Sequence, residues 1–272
     1  MAKKKIIYIV LAVVIIGCLV LYALLSNGQK YQEIIYKIEY PSDTLFSEVQ
    51  LADYVKKNCP TVIGKSIDSI TRNNFEKTVE KYPYLEDAQV VNNGGTLIIK
   101  AQQVKIVAKI QNINNEQFLL AESGKLVPLS KNTAGRIVVA SGVIRNKYTE
   151  QTKVQAPHDS LLTKTNAPKY HNALFTVWKI ACFIENDPFW KAQIGQIYVN
   201  EKQEIELVPT VGEHVVLFGR VELRENMEKA IENKFANLKT LYTQGFIMTG
   251  WDKYQTVNLK YGKEIPCEKR KN

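Results

Sequence analysis

The sequence predicts an α+β chain: a single N-terminal transmembrane helix, a small α+β domain, then a mixed β domain with antiparallel strands and two long helices. Three observations carry this. Ile6 to Leu25 is a run of twenty residues without a charge, an amide side chain or a proline. Over residues 34–103 the apolar spacing alternates in the order strand, helix, helix, strand, strand. From residue 104 onward the pattern is short alternating strands, broken by two stretches with helical periodicity.

At about 1.5 Å of rise per residue, twenty helical residues span about 30 Å, the thickness of a hydrocarbon core. A helix satisfies its own backbone groups there, so Ile6 to Leu25 reads as one span. Lys3, Lys4 and Lys5 precede it and only Lys30 follows closely. The positive-inside rule then keeps residues 1–5 in the cytoplasm and puts residues 26–272 on the far side, with 26–33 as linker. A cleaved secretory signal has a shorter apolar core and a small-x-small site, which Ala23-Leu24-Leu25 does not supply. Ile15-Ile16-Gly17-Cys18 loosely matches a lipoprotein signal, yet seven apolar residues follow Cys18 where a polar tether belongs. A small thiol inside a membrane helix is the preferred reading, with lipidation of Cys18 as the alternative.

The formal net charge is +9, part of it at the tips in Lys3 to Lys5 and in Lys269, Arg270 and Lys271. Aromatic residues are not interleaved with Lys and Arg in one stripe, which argues against nucleic acid and fits a membrane surface or an anionic wall. Cys18, Cys59, Cys182 and Cys267 form no Cys-x-x-Cys and no Cys/His cluster, so neither zinc nor a redox motif is indicated. Cys182 falls on the apolar face of a helical stretch as a small hydrophobe; a disulfide within the set of Cys59, Cys182 and Cys267 is the alternative.

In chain order, Ile34 to Tyr40 alternates as a strand and Pro41-Ser42-Asp43 turns the chain. Phe46 to Lys57 carries Val49, Leu51, Ala52 and Val55 at helical spacing, closed by Asn58-Cys59-Pro60. Ser66 to Ile70 reads as extended and Thr71 to Lys81 as a second helix. Pro83 to Glu86 turns into a strand over Ala88 to Val91. Asn92-Asn93-Gly94-Gly95 signals a hairpin, with Thr96 to Ala101 returning. Further on, Val104 to Ile110, Glu116 to Ala121, Gly124 to Pro128 and Arg136 to Ser141 read as strands. Residues 145–168 are polar and read as an exposed loop. Lys169 to Glu185 is an amphipathic helix stopped by Asn186-Asp187-Pro188. Gln193 to Val199, Ile205 to Val208 and His214 to Phe218 alternate as strands. Glu225 to Gln244 is a second long helix ended by Gly245. Thr256 to Tyr261 is the last strand, before a basic tail over 266–272.

Two resemblances rest on these residues. Pro83-x-Leu85-x-x-Ala88-x-Val90 with Gly95-Thr96-Leu97-x-Ile99 resembles a POTRA domain, here residues 34–103, in which two helices cover one face of a three-stranded sheet. Residues 104–265 resemble the β domain of the FtsQ/DivIB family of bacterial division proteins. The matching stretches are Phe118-Leu119-Leu120 with Gly124-Lys125-Leu126, Ile197-Tyr198-Val199 with Glu204-Ile205-Glu206-Leu207, Val216 to Arg220, and Val257-Asn258-Leu259-Lys260-Tyr261. The family usually has Asp-Leu-Arg-Tyr at the last strand; Asn258 and Lys260 stand there instead, and Lys lacks the bidentate fork of Arg.

Catalytic motifs are missing from the sequence: it has no Gly-x-Ser-x-Gly, Ser-x-x-Lys, His-Glu-x-x-His or phosphate-binding glycine loop. His158, His171 and His214 are isolated and read as surface or capping residues. Glu86-Asp87 and Glu185/Asp187 lie at turns and helix ends. Trp178 and Trp190 read as core. No enzymatic activity, cofactor, metal or small-molecule substrate is expected. The candidate site is the last strand, Thr256, Val257, Asn258, Leu259, Lys260, Tyr261 and Gly262, taken as a sheet edge that accepts a partner's strand. The alternative is an ordinary core strand with Val257 and Leu259 facing inward. The resemblance implies that this region receives the FtsB (DivIC-like) partner of an FtsB–FtsL pair, with Lys260 and Tyr261 reading it. It further implies contacts with FtsK, FtsW and the septal transpeptidase, a single-pass inner-membrane location with periplasmic domains at the division septum, and a part in controlling septal peptidoglycan synthesis. A membrane- or lipid-anchored cell-wall enzyme and a POTRA-bearing envelope assembly factor are the competing classes.

Overall fold

In the computed structural model, residues 14–21, 33–41, 43–60, 62, 69–93, 95–132, 135–150, 152–154, 173–221, 226–262 and 264–270 are described. Residues 14–21 of the apolar N-terminal run are helical with exposed side chains; the rest of Ile6 to Leu25 lies outside the described residues. Among the described residues no helix is long and apolar enough to cross a membrane. The chain divides into two compact units, Met1–Glu39 with Phe46–Gln103, and Tyr40–Leu45 with Val104–Asn272.

The first unit contains β1 (Glu33–Glu39), α1 (Glu48–Asn58), α2 (Ser69–Glu80), β2 (Leu85–Asn93) and β3 (Thr96–Gln103). α1 starts where it does because Ser47 and Gln50 form a reciprocal capping box, with Glu48 in the first turn and Lys56 and Lys57 in the last. The sheet order is β1-β3-β2: β1 runs parallel to β3, and β2 pairs with β3 as an antiparallel hairpin. Leu85, Ala88 and Val90 on β2 and Leu97, Ile99 and Ala101 on β3 are buried, and so are Leu51, Val55, Phe75 and Val79 from the helices. Period 2 on the strands thus meets period 3.6 on the helices across one face. The outer edge of β2 is blunted by Glu76, whose carboxylate accepts the Val90 N–H at 2.8 Å. Two expectations need correcting. Ser69 and Ile70 belong to α2 rather than to an extended segment, while residues 66–68 lie outside the described residues. Val49, placed on the apolar stripe of α1, is 67% exposed.

The second unit is a nine-stranded sheet in the order β12-β11-β10-β9-β8-β7-β4-β5-β6. Its strands are β4 (Ile106–Gln111), β5 (Gln117–Ala121), β6 (Leu126–Pro128), β7 (Val138–Gly142), β8 (Ile194–Val199), β9 (Ile205–Pro209), β10 (Val215–Gly219), β11 (Tyr254–Asn258) and β12 (Cys267–Lys269). The pairs β4/β7, β7/β8 and β10/β11 are parallel. Parallel neighbours need a long connection, and two of these connections are helical. β7 reaches β8 through α3 (Ala173–Asn186) and α4 (Pro188–Gln193). β10 reaches β11 through α5 (Met227–Thr240), a π turn (Leu241–Gly245) and α6 (Phe246–Thr249). The core lies where these helices meet the sheet: Leu174, Val177, Ile180, Ala181 and Ile184 of α3, Trp190, and Ile231, Phe235 and Leu238 of α5 are all buried. Phe235 stacks on Phe183 at 4.5 Å and meets Trp190 at 4.8 Å and Phe218 at 5.3 Å.

One expectation holds here with an addition, and two need correcting. Asn186-Asp187-Pro188 stops α3 and also begins α4, because the Asp187 carboxylate accepts the N–H groups of Phe189 and Trp190 and Pro188 suits a first turn. Gly245 does not end the second long helix; its φ of −76° is helical, and the stop is Gly250, at φ 90°. The π turn over Leu241–Gly245, between α5 and α6, goes with the burial of both Tyr242 and Phe246 in the core. Residues 145–150 and 152–154 are not a purely exposed loop. Tyr148 and Val154 pack on the core, and residues 152–154 line the outer side of β6 through Leu126 N–H to Thr152 O and Val154 N–H to Gly124 O, both 2.8 Å. Residues 155–168 lie outside the described residues.

Candidate partner-binding edge and its supporting turn

β11 is not an edge. Val215, Val216 and Leu217 of β10 flank Thr256, Val257 and Asn258 on one side, and Cys267 and Glu268 of β12 flank Val257 and Thr256 on the other. The expectation that Thr256 to Tyr261 is a terminal edge strand is therefore corrected. After Asn258 the chain turns, with Gly262 at φ +69°, and comes back as β12. The stretch read as a basic tail supplies the outer strand. Among the described residues no strand pairs beyond β12.

Register decides which groups β12 offers. Pro266 O accepts the Asn258 N–H at 2.9 Å and the Arg270 N–H donates to Lys253 O at 3.0 Å, with Glu268 opposite Thr256 between them. Pro266, Glu268 and Arg270 therefore turn their main-chain groups toward β11. By alternation Cys267 and Lys269 turn theirs outward. Arg270 is tied by its guanidinium to the Glu213 carboxylate, and Thr256 Oγ1 donates to Glu268 Oε2 at 3.4 Å.

The seven predicted site residues fall into two groups. Val257 (0% exposed) and Leu259 (1%) are core, while Thr256 and Asn258 are half-buried between strands. Lys260, Tyr261 and Gly262 are exposed on the turn, Tyr261 at 65%. That turn is fastened on every side. The Leu259 N–H donates to Leu217 O at 3.0 Å, continuing the β10 ladder, and the Lys260 N–H donates to Asn258 Oδ1 at 3.0 Å. Lys260 Nζ meets Glu204 Oε2 at 2.7 Å, and its stem lies over Gly219 where a Cβ would collide with Lys260 Cγ at 2.8 Å. From α5, Lys234 Nζ donates to Leu259 O at 2.7 Å and to Phe218 O at 2.9 Å, 5.2 Å from the centre of the Phe218 ring. Asn237 Nδ2 donates to Gly262 O at 3.0 Å.

The electrostatics follow from these contacts. The hydrogen bond from Lys260 holds the Glu204 carboxyl below its ordinary range. Burial, and secondarily the charge of Lys260, pull the Lys234 ammonium down. Lys234, Asn237 and Glu204 escaped the reading of the sequence. A signal for Lys234 existed: it stands at i+3 from Ile231 and i−4 from Leu238, a charge inside an apolar stripe.

The remaining candidates resolve as packing. His214, read as a surface residue, is 1% exposed; its Nε2 lies 2.7 Å from Tyr242 Oη, and burial lowers its pKa to about 4. His158 and His171 lie outside the described residues. Trp190 is core, and Trp178 donates its indole N–H to Glu122 O at 3.0 Å. Glu185 pairs with Lys191, and Asp187 caps α4. Cys59, Cys182 and Cys267 are free thiols; burial first, then the Glu122 charge, push that of Cys182 up to about 11. Among the described residues no three of His, Cys, Asp and Glu are grouped as metal ligands would be.

A family model described as FtsQ/DivIB, C-terminal related, matches residues 105–268, which is more than half of the chain and covers β4 through the middle of β12. No curated protein matches the chain.

Proposed function

This chain belongs to the FtsQ/DivIB C-terminal related family, and from that membership we propose that it is a non-catalytic, membrane-anchored scaffold of the bacterial division machinery. In this reading Ile6 to Leu25 spans the inner membrane and residues 26–272 work in the periplasm at the septum. The second unit captures an FtsB/DivIC-like protein, and with it an FtsL-like protein, by adding a partner strand to β12, and Tyr261 anchors that partner beside the added strand. The first unit, POTRA-like, serves FtsK, FtsW or the septal transpeptidase, and the assembly regulates septal peptidoglycan synthesis. The observation that carries the reading is the outer position of β12 in a nine-stranded sheet, next to a turn that exposes an aromatic side chain. Main-chain pairing gives affinity in such a mode, and an amphipathic aromatic at the rim gives a hot spot.

The test is capture of the FtsB-like partner by the full chain carrying Tyr261→Ala, together with the position of a fluorescent fusion in dividing cells. The reading expects at least tenfold weaker capture and a midcell band. Undiminished capture removes Tyr261 from the site, and an even distribution around dividing cells removes the division role.

A further inference from the structure

The fastening of the 258–262 turn has a pattern. Two side chains of one helix, Lys234 and Asn237, lie three residues apart on α5 and therefore on the same face. Both donate to backbone carbonyls of the turn, Leu259 O and Gly262 O, at either end of Lys260 and Tyr261. Lys234 also donates to Phe218 O, at the C-terminal end of the neighbouring strand β10. Half-burying an ammonium carries a desolvation cost, which the two carbonyl bonds and the Phe218 ring face offset. A neutral residue at position 234 would fill the same stripe without that cost. What the ammonium adds is the joining of two strand ends and the turn beyond them. An exposed tyrosine on a free turn would lose backbone and side-chain freedom on docking; on a turn already fixed, most of that loss has been met during folding.

We infer that Lys234 and Asn237 are positioning residues for partner capture: they hold the Leu259–Gly262 backbone so that Tyr261 is presented in its docking conformation. The inference rests on the reading that the partner docks at Tyr261 and β12. Lys234 and Asn237 themselves do not touch the partner; they act through the turn.

The test uses the full chain in lipid nanodiscs, with hydrogen exchange of the peptide covering 258–262 and capture of the FtsB-like partner read on the same samples. Asn237→Ala removes one bond from a partly exposed side chain and should speed exchange in the turn about fivefold, with β8 and β9 unchanged. Lys234→Met removes two charge-assisted bonds and should speed it more than about tenfold. Lys234→Arg, which keeps the charge and the donors, should restore most of the protection. Capture should weaken in the same order. Unchanged exchange in the turn of Asn237→Ala, or faster exchange with undiminished capture, overturns the positioning role. Tyr261→Ala separates the two claims: if it captures normally, the docking reading has failed; if it loses capture and Asn237→Ala does not, the positioning inference has. Should Lys234→Met not fold, Asn237→Ala and Lys234→Arg still decide.

Discussion

Lys269→Pro tests the outer strand directly. Cys267 and Lys269 each turn one N–H and one C=O away from β11. A strand that pairs with all four of these groups gains about 0.5–1.5 kcal/mol per bond, or about 2–6 kcal/mol in all. Proline at 269 deletes one outward donor and sets its ring against the incoming backbone, disabling that bond and the one beside it. The loss is about 1–3 kcal/mol, roughly five- to a hundred-and-fiftyfold in Kd. The inward bonds of Pro266 and Arg270 survive, and an extended strand accommodates the proline φ, so unfolding free energy should move by no more than about 0.5 kcal/mol. Biolayer interferometry of the nanodisc-held chain against the FtsB-like partner measures the first quantity, and chemical denaturation the second. A Kd within twofold of wild type, in a protein of unchanged stability, would refute strand addition at β12.

Other outcomes can be checked on the same protein. Phe235→Ala removes a fully buried ring packed on Phe183, Trp190 and Phe218; denaturation should show a loss of about 3–5 kcal/mol. Gly142 has φ +96°, and a Cβ there would run into the Val199 carbonyl, so Gly142→Ala should cost about 2 kcal/mol or more, seen as a lowered Tm. His214 titrates near 4 when folded against an ordinary 6.5, so the unfolded chain takes up its proton first. This contribution to stability is complete above pH 6.5, falls as the pH drops from 6.5 to 4, and is then level, a change on the order of 3 kcal/mol. Denaturation curves across that range should lose this slope in His214→Phe.

Some of this architecture was legible in the residues and some was not, for identifiable reasons. Ile194, Ile197 and Val199, Ile205 and Leu207, and Val216 and Phe218 face a core on one side only, so β8 to β10 carry a near period-2 signature. α3 repeats apolar residues at helical spacing over its whole length and was equally plain. β12 could not be read, because Cys267-Glu268-Lys269 has too few residues for a pattern; its extended form comes from the main-chain groups that β11 leaves open. The π turn depends on where Tyr242 must land beside His214, which no local propensity encodes. Inside the site, the exposed pair Lys260 and Tyr261 was found from the family pattern. Lys234 shows in the sequence only as a charge within an apolar stripe; its bonds form only when the ends of β10 and β11, distant in sequence, bring two carbonyls to it.

The two margins of the large sheet are treated differently. At β6 the chain folds over the start of its own border, where residues 152–154 bond to Gly124 and Leu126. The proposed docking therefore uses the β12 border of this sheet. If a partner strand adds at β12 as proposed, titration of the nanodisc-held chain with that partner should saturate at one per copy.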